Sequence, residues 1–349
     1  VHRSLRTRRQ RTIRRSIAVA AAAATVAVTA SITMATAQAD TTTAAAAKPA
    51  TASKPAPVQQ SGRTITVHLA GKTFHVQLHK PSGVVPMRGK QQAAKGTRHT
   101  STTDTNATVY PPTTQTSGLQ YGGGPLQTSP QIYLDFWGNQ WDNDANGVQQ
   151  YMQNFFNGMG ASGDTWSTVT SQYTDSSGAS PSFNGSVLGG TWADNGSAAP
   201  AAPTQAQIAA EADNAASHFG VSGPNVDIYV MSPSGTQPDG FPNAGFCAWH
   251  NWDGNVAYTN MPYVLDAGSG CGASSVQNQL DGFSIVGGHE YAEAITDPEP
   301  SSGYVDSNGE EIGDLCAWDN DQTVNFSTGT FAMQPLYSNK DNGCVFSSQ

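Results

Sequence analysis

His289, Glu290 and Glu293 fall in the run Gly287-Gly288-His289-Glu290-Tyr291-Ala292-Glu293-Ala294-Ile295-Thr296-Asp297-Pro298. On a helix, side chains four positions apart face the same way, so His289 and Glu293 can hold one metal ion between them. Glu290 then lies beside that ion, where a general base for metal-assisted hydrolysis belongs. The spacing is that of the HExxH motif with a glutamate in place of the second histidine. Catalytic zinc takes three protein ligands and keeps a further position for water. The run Asp306-Ser307-Asn308-Gly309-Glu310-Glu311-Ile312-Gly313-Asp314-Leu315-Cys316 offers the third ligand, Asp314 or Glu311, with Asp314 preferred and the other set behind it. Crowded carboxylates with few cations nearby should raise the pKa of Glu290. His250, in Ala248-Trp249-His250-Asn251-Trp252, and Tyr304 are candidates for holding an oxyanion. Asp297, just before Pro298, suits the turn that ends the helix. The acids of Asp306–Asp314, with Asp319 and Asp321, also resemble a calcium loop in composition. They lack the EF-hand spacing and its terminal bidentate glutamate, so structural calcium is the lesser expectation.

These residues need a helix from Ser275 to Asp297, interrupted at Gly287-Gly288 and ended by Pro298. Ahead of it the pattern predicts a strand over Gln131–Gly138 and a helix through Val148, Met152, Phe155 and Met159. A short helix is expected over Asp164–Tyr173. A stronger one opens at Pro203-Thr204, shows Ile208, Ala212, Ala215 and Phe219 on one face, and stops at Gly220. Val226–Met231 and Asn255–Asn260 read as buried strands. The main domain therefore spans 118–349, about 230 residues, enough for one sizeable core. It contains no internal repeat.

The front of the chain differs in kind. Seven Arg precede an apolar run from Ile17 to Met34 and the small-residue end Ala37-Gln38-Ala39, a secretory signal pattern over 1–39. Arg14-Arg15 also permits a twin-arginine route. Residues 40–117 read as a basic, largely disordered pro-region or spacer, with an Ala/Thr/Pro/Lys stretch over 40–62 and a loose segment from Gly83 to Ser117. Between them, alternation on both sides of Ala70-Gly71-Lys72 marks a β-hairpin over 63–79, with His68, His75 and His79 on its polar face. A pro-region of this charge can lie on the acidic domain and be clipped near Lys95–Arg98. From His99 onward a single Lys340 stands against 25 Asp and Glu, a formal net charge of −24. Such a surface repels nucleic acid and anionic membrane and attracts cations. All four cysteines, Cys247, Cys271, Cys316 and Cys344, lie in the last third. With no C-x-x-C and an export signal they point to disulfides, Cys247–Cys271 and Cys316–Cys344 being the favoured pairing because each ties down a loop flanking the motif.

The strings His289-Glu-Tyr-Ala-Glu-Ala-Ile-Thr-Asp-Pro298 and Glu311-Ile-Gly-Asp-Leu-Cys316 resemble the signature of the exordium-like, phosphate-induced secreted proteins. The likeness extends to Tyr121-Gly-Gly-Gly-Pro125, Ile132–Gly138, Trp166/Val169/Tyr173 and Phe246-Cys-Ala-Trp-His250, and covers 118–344. It implies an extracellular or wall-associated protein of α+β class with a zincin-like core, a mixed sheet packed on helices. It also implies His289, Glu293 and the Glu311/Asp314 pair as the metal site and Glu290 as the base.

Two functional expectations follow. One is a secreted zinc endopeptidase acting on polypeptide, monomeric, with no nucleic-acid partner and no stable membrane association after signal cleavage. The other is a non-catalytic extracellular binding or signalling protein that keeps the metal for stability, since an added anionic ligand weakens zinc's acidification of water. A glycosidase fits less well, because Glu290 and Glu293 are too close-set on one helix to flank a sugar bond.

Overall fold

A computed structural model describes residues 62–89 and 108–347. The signal pattern, the 40–61 stretch and the Lys95–Arg98 region lie outside the described residues. The expected hairpin is present as β1 (Arg63–Leu69) and β2 (Lys72–Leu78), paired antiparallel through a turn at Ala70-Gly71. Next come β3 (Ser82–Pro86), β4 (Gln120–Tyr121) and β5 (Gln131–Trp137). Helix α1 (Val148–Gly158), β6 (Leu188–Asp194), α2 (Gln205–Phe219) and β7 (Gly223–Met231) follow. The chain then forms β8 (Phe246–Trp252), β9 (Val256–Met261) and α3 (Asp281–Thr296). It ends with β10 (Tyr304–Val305), β11 (Gln322–Phe326), β12 (Gly329–Met333), β13 (Leu336–Ser338) and β14 (Gly343–Val345).

The protein is α+β, built on a six-stranded mixed sheet in the order β3-β8-β9-β7-β5-β6. Strands β9, β7, β5 and β6 run parallel; α1 carries the chain from β5 to β6 and α2 from β6 to β7, while β8 lies between β7 and β9 in the chain. Strand β8 folds back antiparallel on β9, and β3 antiparallel on β8. Helix α2 covers one face, where Phe219, its last residue, meets Tyr133, and the β1–β2 hairpin packs on α2. Helices α1 and α3 cover the other, where Tyr229 packs on Phe156 and donates its hydroxyl to the Gly287 carbonyl.

Local chemistry sets the helix ends. Thr204 and Gln207 form a reciprocal capping box at the start of α2, and Gly220 closes it in the left-handed conformation. The Asp144 carboxylate accepts the N–H groups of Val148 and Gln149 at the start of α1. Helix α3 differs from expectation in two ways. It begins at Asp281 because that carboxylate gathers the N–H groups of Val276, Gln277 and Asn278 into a turn ahead of it. It also runs unbroken through Gly287-Gly288, whose missing side chains admit Met152, Phe155 and Met333. The Asp164–Tyr173 segment is a 3-10 turn over Ser167–Gln172.

Both favoured disulfides, Cys247–Cys271 and Cys316–Cys344, are formed, and they suit an oxidising compartment. Among the described residues no helix is long and apolar enough to cross a membrane. The sharpest departure from the sequence reading is β3. Residues placed in a loose segment instead form a strand of the main sheet.

Candidate metal centre

Helix α3 is buried along its whole length and brings His289, Glu290 and Glu293 under β8 and β3. The tautomer of His289 is fixed by one neighbour. Gln334 donates its Nε2–H to the Gly313 carbonyl at 2.8 Å, which orients its amide oxygen towards His289 Nδ1 at 3.1 Å. Nδ1 therefore carries the proton in the neutral ring, and Nε2 presents a lone pair. That lone pair lies 2.9 Å from Glu293 Oε1 and 3.5 Å from Asp314 Oδ1, yet it makes no hydrogen bond of acceptable geometry. A lone pair facing two carboxylates repels them unless a positive charge sits between. Burial opposes the imidazolium, but Glu293 and Asp314 outweigh burial and hold His289 well above its ordinary range. The field that favours a proton there favours a metal cation equally.

The acidic side is held as firmly. Glu293 Oε1 accepts backbone N–H groups from Gly313 at 3.1 Å and Asp314 at 3.0 Å. Its Oε2 has no hydrogen-bond partner. Burial, with Asp314 adding to it, raises Glu293 to about 7. Gly313 must lie flush against the pair, since a Cβ there would come within 2.8 Å of His289 Cγ and 2.9 Å of Glu293 Oε1.

His250, on β8, sits on the opposite side of Glu293. Its Nε2 donates to the Asp297 carbonyl at 3.1 Å, and its Nδ1 faces Glu290 Oε2 at 3.3 Å and Glu293 Oε2 at 3.8 Å. Burial lowers His250 to about 4. Burial first, then Glu293, raises Glu290 well above the carboxylate range. These opposite shifts favour the neutral pair, a protonated Glu290 facing the unprotonated Nδ1 of His250.

Among the described residues, two sets of three side chains offer ligand atoms within 4.8 Å of one another, His289/Glu293/Asp314 and His250/Glu290/Glu293. Glu293 belongs to both. The first set fits a divalent cation, with two carboxylate oxygens and one imidazole nitrogen, the orphaned buried Nε2 of His289.

Of the two third-ligand candidates, the structure brings Asp314 to His289 and Glu293. Glu311 lies on the His250 side, with Oε2 at 3.6 Å from His250 Nε2 and Oε1 accepting the Ser82 hydroxyl. Asp297 serves its turn, accepting N–H groups from Ser301, Ser302 and Gly303. Tyr304 is not brought to the centre; its hydroxyl binds the backbone of Thr174. The acids considered for calcium do not converge on a point of their own. Asp306 accepts N–H groups from Asn308 and Glu310, and Asp321 pairs with Arg88.

Sequence reasoning missed Gln334, Ser82 and Gly83. An isolated glutamine before Pro335 carries no signal, and Pro81-Ser82-Gly83 looks like a loop. No known family model matches this chain, and neither does any curated protein or solved structure.

Proposed function

We infer that this protein is a secreted, zinc-dependent endopeptidase with a zincin-like core. The carrying observation is the buried, unbonded Nε2 of His289, held by Gln334 and aimed between Glu293 and Asp314. One nitrogen and two oxygens at a single point suit zinc. Zinc held there would supply Lewis-acid chemistry, polarising a scissile carbonyl and acidifying water. His289, Glu293 and Asp314 supply the ligands. Glu290, adjacent in sequence and raised in pKa, receives the proton of the attacking water and passes it to the leaving amine. His250, with one nitrogen fixed on the Asp297 carbonyl, holds the Glu290 carboxyl in place and shares its proton. That pairing favours a positioning role for His250 over the oxyanion role its sequence context suggests. The resemblance to exordium-like secreted proteins, the acidic surface and the disulfides support an extracellular setting.

The test is metal analysis of the purified protein with digestion of a peptide library, wild type against Glu290→Gln, before and after removal of the front end. Stoichiometric zinc in both proteins and loss of hydrolysis by about a hundredfold or more in the variant is the expected result. Zinc-loaded protein that cleaves nothing in either form would reject the enzyme. It would leave the second reading, a non-catalytic extracellular protein with a structural metal, which the complete burial of Glu290 and His250 favours.

A further inference from the structure

A hydrolase whose base and two of whose three ligands are fully buried, the third, Asp314, being half-buried, cannot meet a polymer until something leaves. His250, His289, Glu290, Glu293 and Glu311 are all 0 % exposed. Part of the cover over them is β3, the outermost strand beside β8. It is joined to its neighbours through a short strip. Ser82 pairs with His250, Val85 with Ala248 and Pro86 with Phe246. Beyond the strand, Met87 N–H donates to the Gly245 carbonyl at 3.0 Å and Arg88 N–H to the Gly270 carbonyl at 2.9 Å. Without β3, strand β8 would be an open sheet edge, able to pair with any extended chain.

The fit of the strip to the centre is specific. Gly83 has φ +51°, and a Cβ on it would overlap Glu293 Oε2 and the His250 ring, so its bare backbone is seated on the carboxylate that links the two ligand sets. Ser82 donates its hydroxyl to Glu311. Val85 is fully buried, while Val84 is 39 % exposed. Arg88 pairs with Asp321 and lies 4.9 Å over the Trp318 ring, and Trp318 Nε1 donates to the Pro86 carbonyl at 2.6 Å.

We propose that Ser82–Arg88 is a built-in pseudo-substrate, an extended segment that closes the centre by occupying the β8 edge where polypeptide substrate binds. The edge takes a chain antiparallel to β8, with glycine against the centre, a β-branched apolar side chain two residues on and a basic side chain on Asp321 and Trp318 five residues on. This inference rests on the hydrolase reading for its outcome, though the edge itself is testable without it.

The experiment uses the zinc-loaded full chain carrying Lys340→Gln, so that every remaining Lys and Arg lies at or before Arg98. Peptide-library hydrolysis is measured on the intact chain, on the chain after trypsin treatment and trypsin removal, and on intact Gly83→Val and Arg88→Glu variants. Binding of a synthetic peptide with the sequence of residues 81–89 to the cut protein is measured in parallel, with glycine or valine at the position of Gly83. Hydrolysis should rise about tenfold or more on cutting and in the Gly83→Val chain, and the glycine peptide should bind at least about tenfold tighter than the valine peptide. Hydrolysis equal in intact, cut and variant chains overturns the proposal, as does equal or absent binding of the two peptides. Selective binding of the glycine peptide with no hydrolysis in any form upholds the edge and rejects the hydrolase instead.

Discussion

Replacing Gln334 with leucine tests the tautomer on which the proposed metal centre depends. The side chain is buried and joins two groups, accepting from His289 Nδ1–H at 3.1 Å and donating to the Gly313 carbonyl at 2.8 Å. Leucine fills a similar volume but satisfies neither. A buried donor or acceptor left without a partner costs about 1–3 kcal/mol, so the pair should lower stability by roughly 2–6 kcal/mol. Freed from its anchor, His289 can rotate and lose ligand basicity, and loss of such a partner lowers metal affinity about 10–100-fold. That corresponds to about 1.4–2.7 kcal/mol of binding. Gln334→Glu separates the two effects. Its carboxylate still accepts from Nδ1–H but cannot donate to Gly313, so it should lose stability while keeping metal affinity close to wild type. The assay is zinc competition with a chromogenic chelator, well below each protein's unfolding transition, alongside denaturant unfolding of the zinc-free proteins. If Gln334→Leu binds zinc as tightly as wild type, or if leucine and glutamate weaken it equally, His289 does not ligate through Nε2.

Two further outcomes follow from the packing. Gly313→Ala places a Cβ 2.8 Å from His289 Cγ and 2.9 Å from Glu293 Oε1, closer than such contacts tolerate, so the ligands must part; the same chelator competition should register a loss of about tenfold or more in zinc affinity. Asp227 is buried beneath Thr259 and raised to about 8 by burial, against about 3.9 in an unfolded chain. Its folded form holds a proton that the unfolded form releases, so its stabilising contribution is complete below about pH 4 and is lost as pH rises towards 8. Asp227→Asn should therefore stabilise the protein at pH 7 by a few kcal/mol at most, about 1.36 per unit of pKa difference, and flatten the decline between pH 4 and 8 in urea unfolding. An unchanged pH profile would show that Asp227 is ionised in the fold.

Much of this arrangement is legible in the chain because it follows local rules. Helices α1 and α2 combine helical apolar spacing with side chains that accept their first N–H groups, Asp144 for α1 and Thr204 for α2, and β5, β7 and β9 are short apolar runs suited to parallel strands buried on both faces. The i, i+4 pair His289 and Glu293 is local too, and so is Asp314, set beside a cysteine that is itself bridged. What escaped depends on distant partners. Strand β8 mixes Trp, His and Asn with apolar residues and shows no alternation, because both of its faces are covered. The glycine pair in α3 predicts a break, and only the facing Met152 and Met333 explain a continuous helix. Strand β3 begins Ser-Gly and ends in proline, which is tolerable on a sheet edge but unreadable as a strand without β8 beside it.

The division of labour between Glu290 and Glu293 follows from which carboxylate the fold keeps charged. The ion pairs these groups make among the described residues are with His250 and His289. Burying several anions this way costs several kcal/mol each unless a proton or a metal neutralises them. Burial raises Glu293, but His289 beside it and, less strongly, the Asp314 N–H on its Oε1 favour its ionised form and limit the rise to about 7. Glu290 has no backbone donor, and its Oε1 has no partner at all, so burial drives it further and it keeps its proton. Two acids on successive faces of one helix are thereby pushed apart in pKa, the pattern that separates a ligand from a proton carrier. A cation between His289, Glu293 and Asp314 would deepen that separation. It would remove the competing proton from His289 and draw Glu293's charge towards itself, lowering the repulsion that holds Glu290 protonated. Metal binding at the inner set should therefore release Glu290 to act as a base, and the same step relieves the buried charge of the fold.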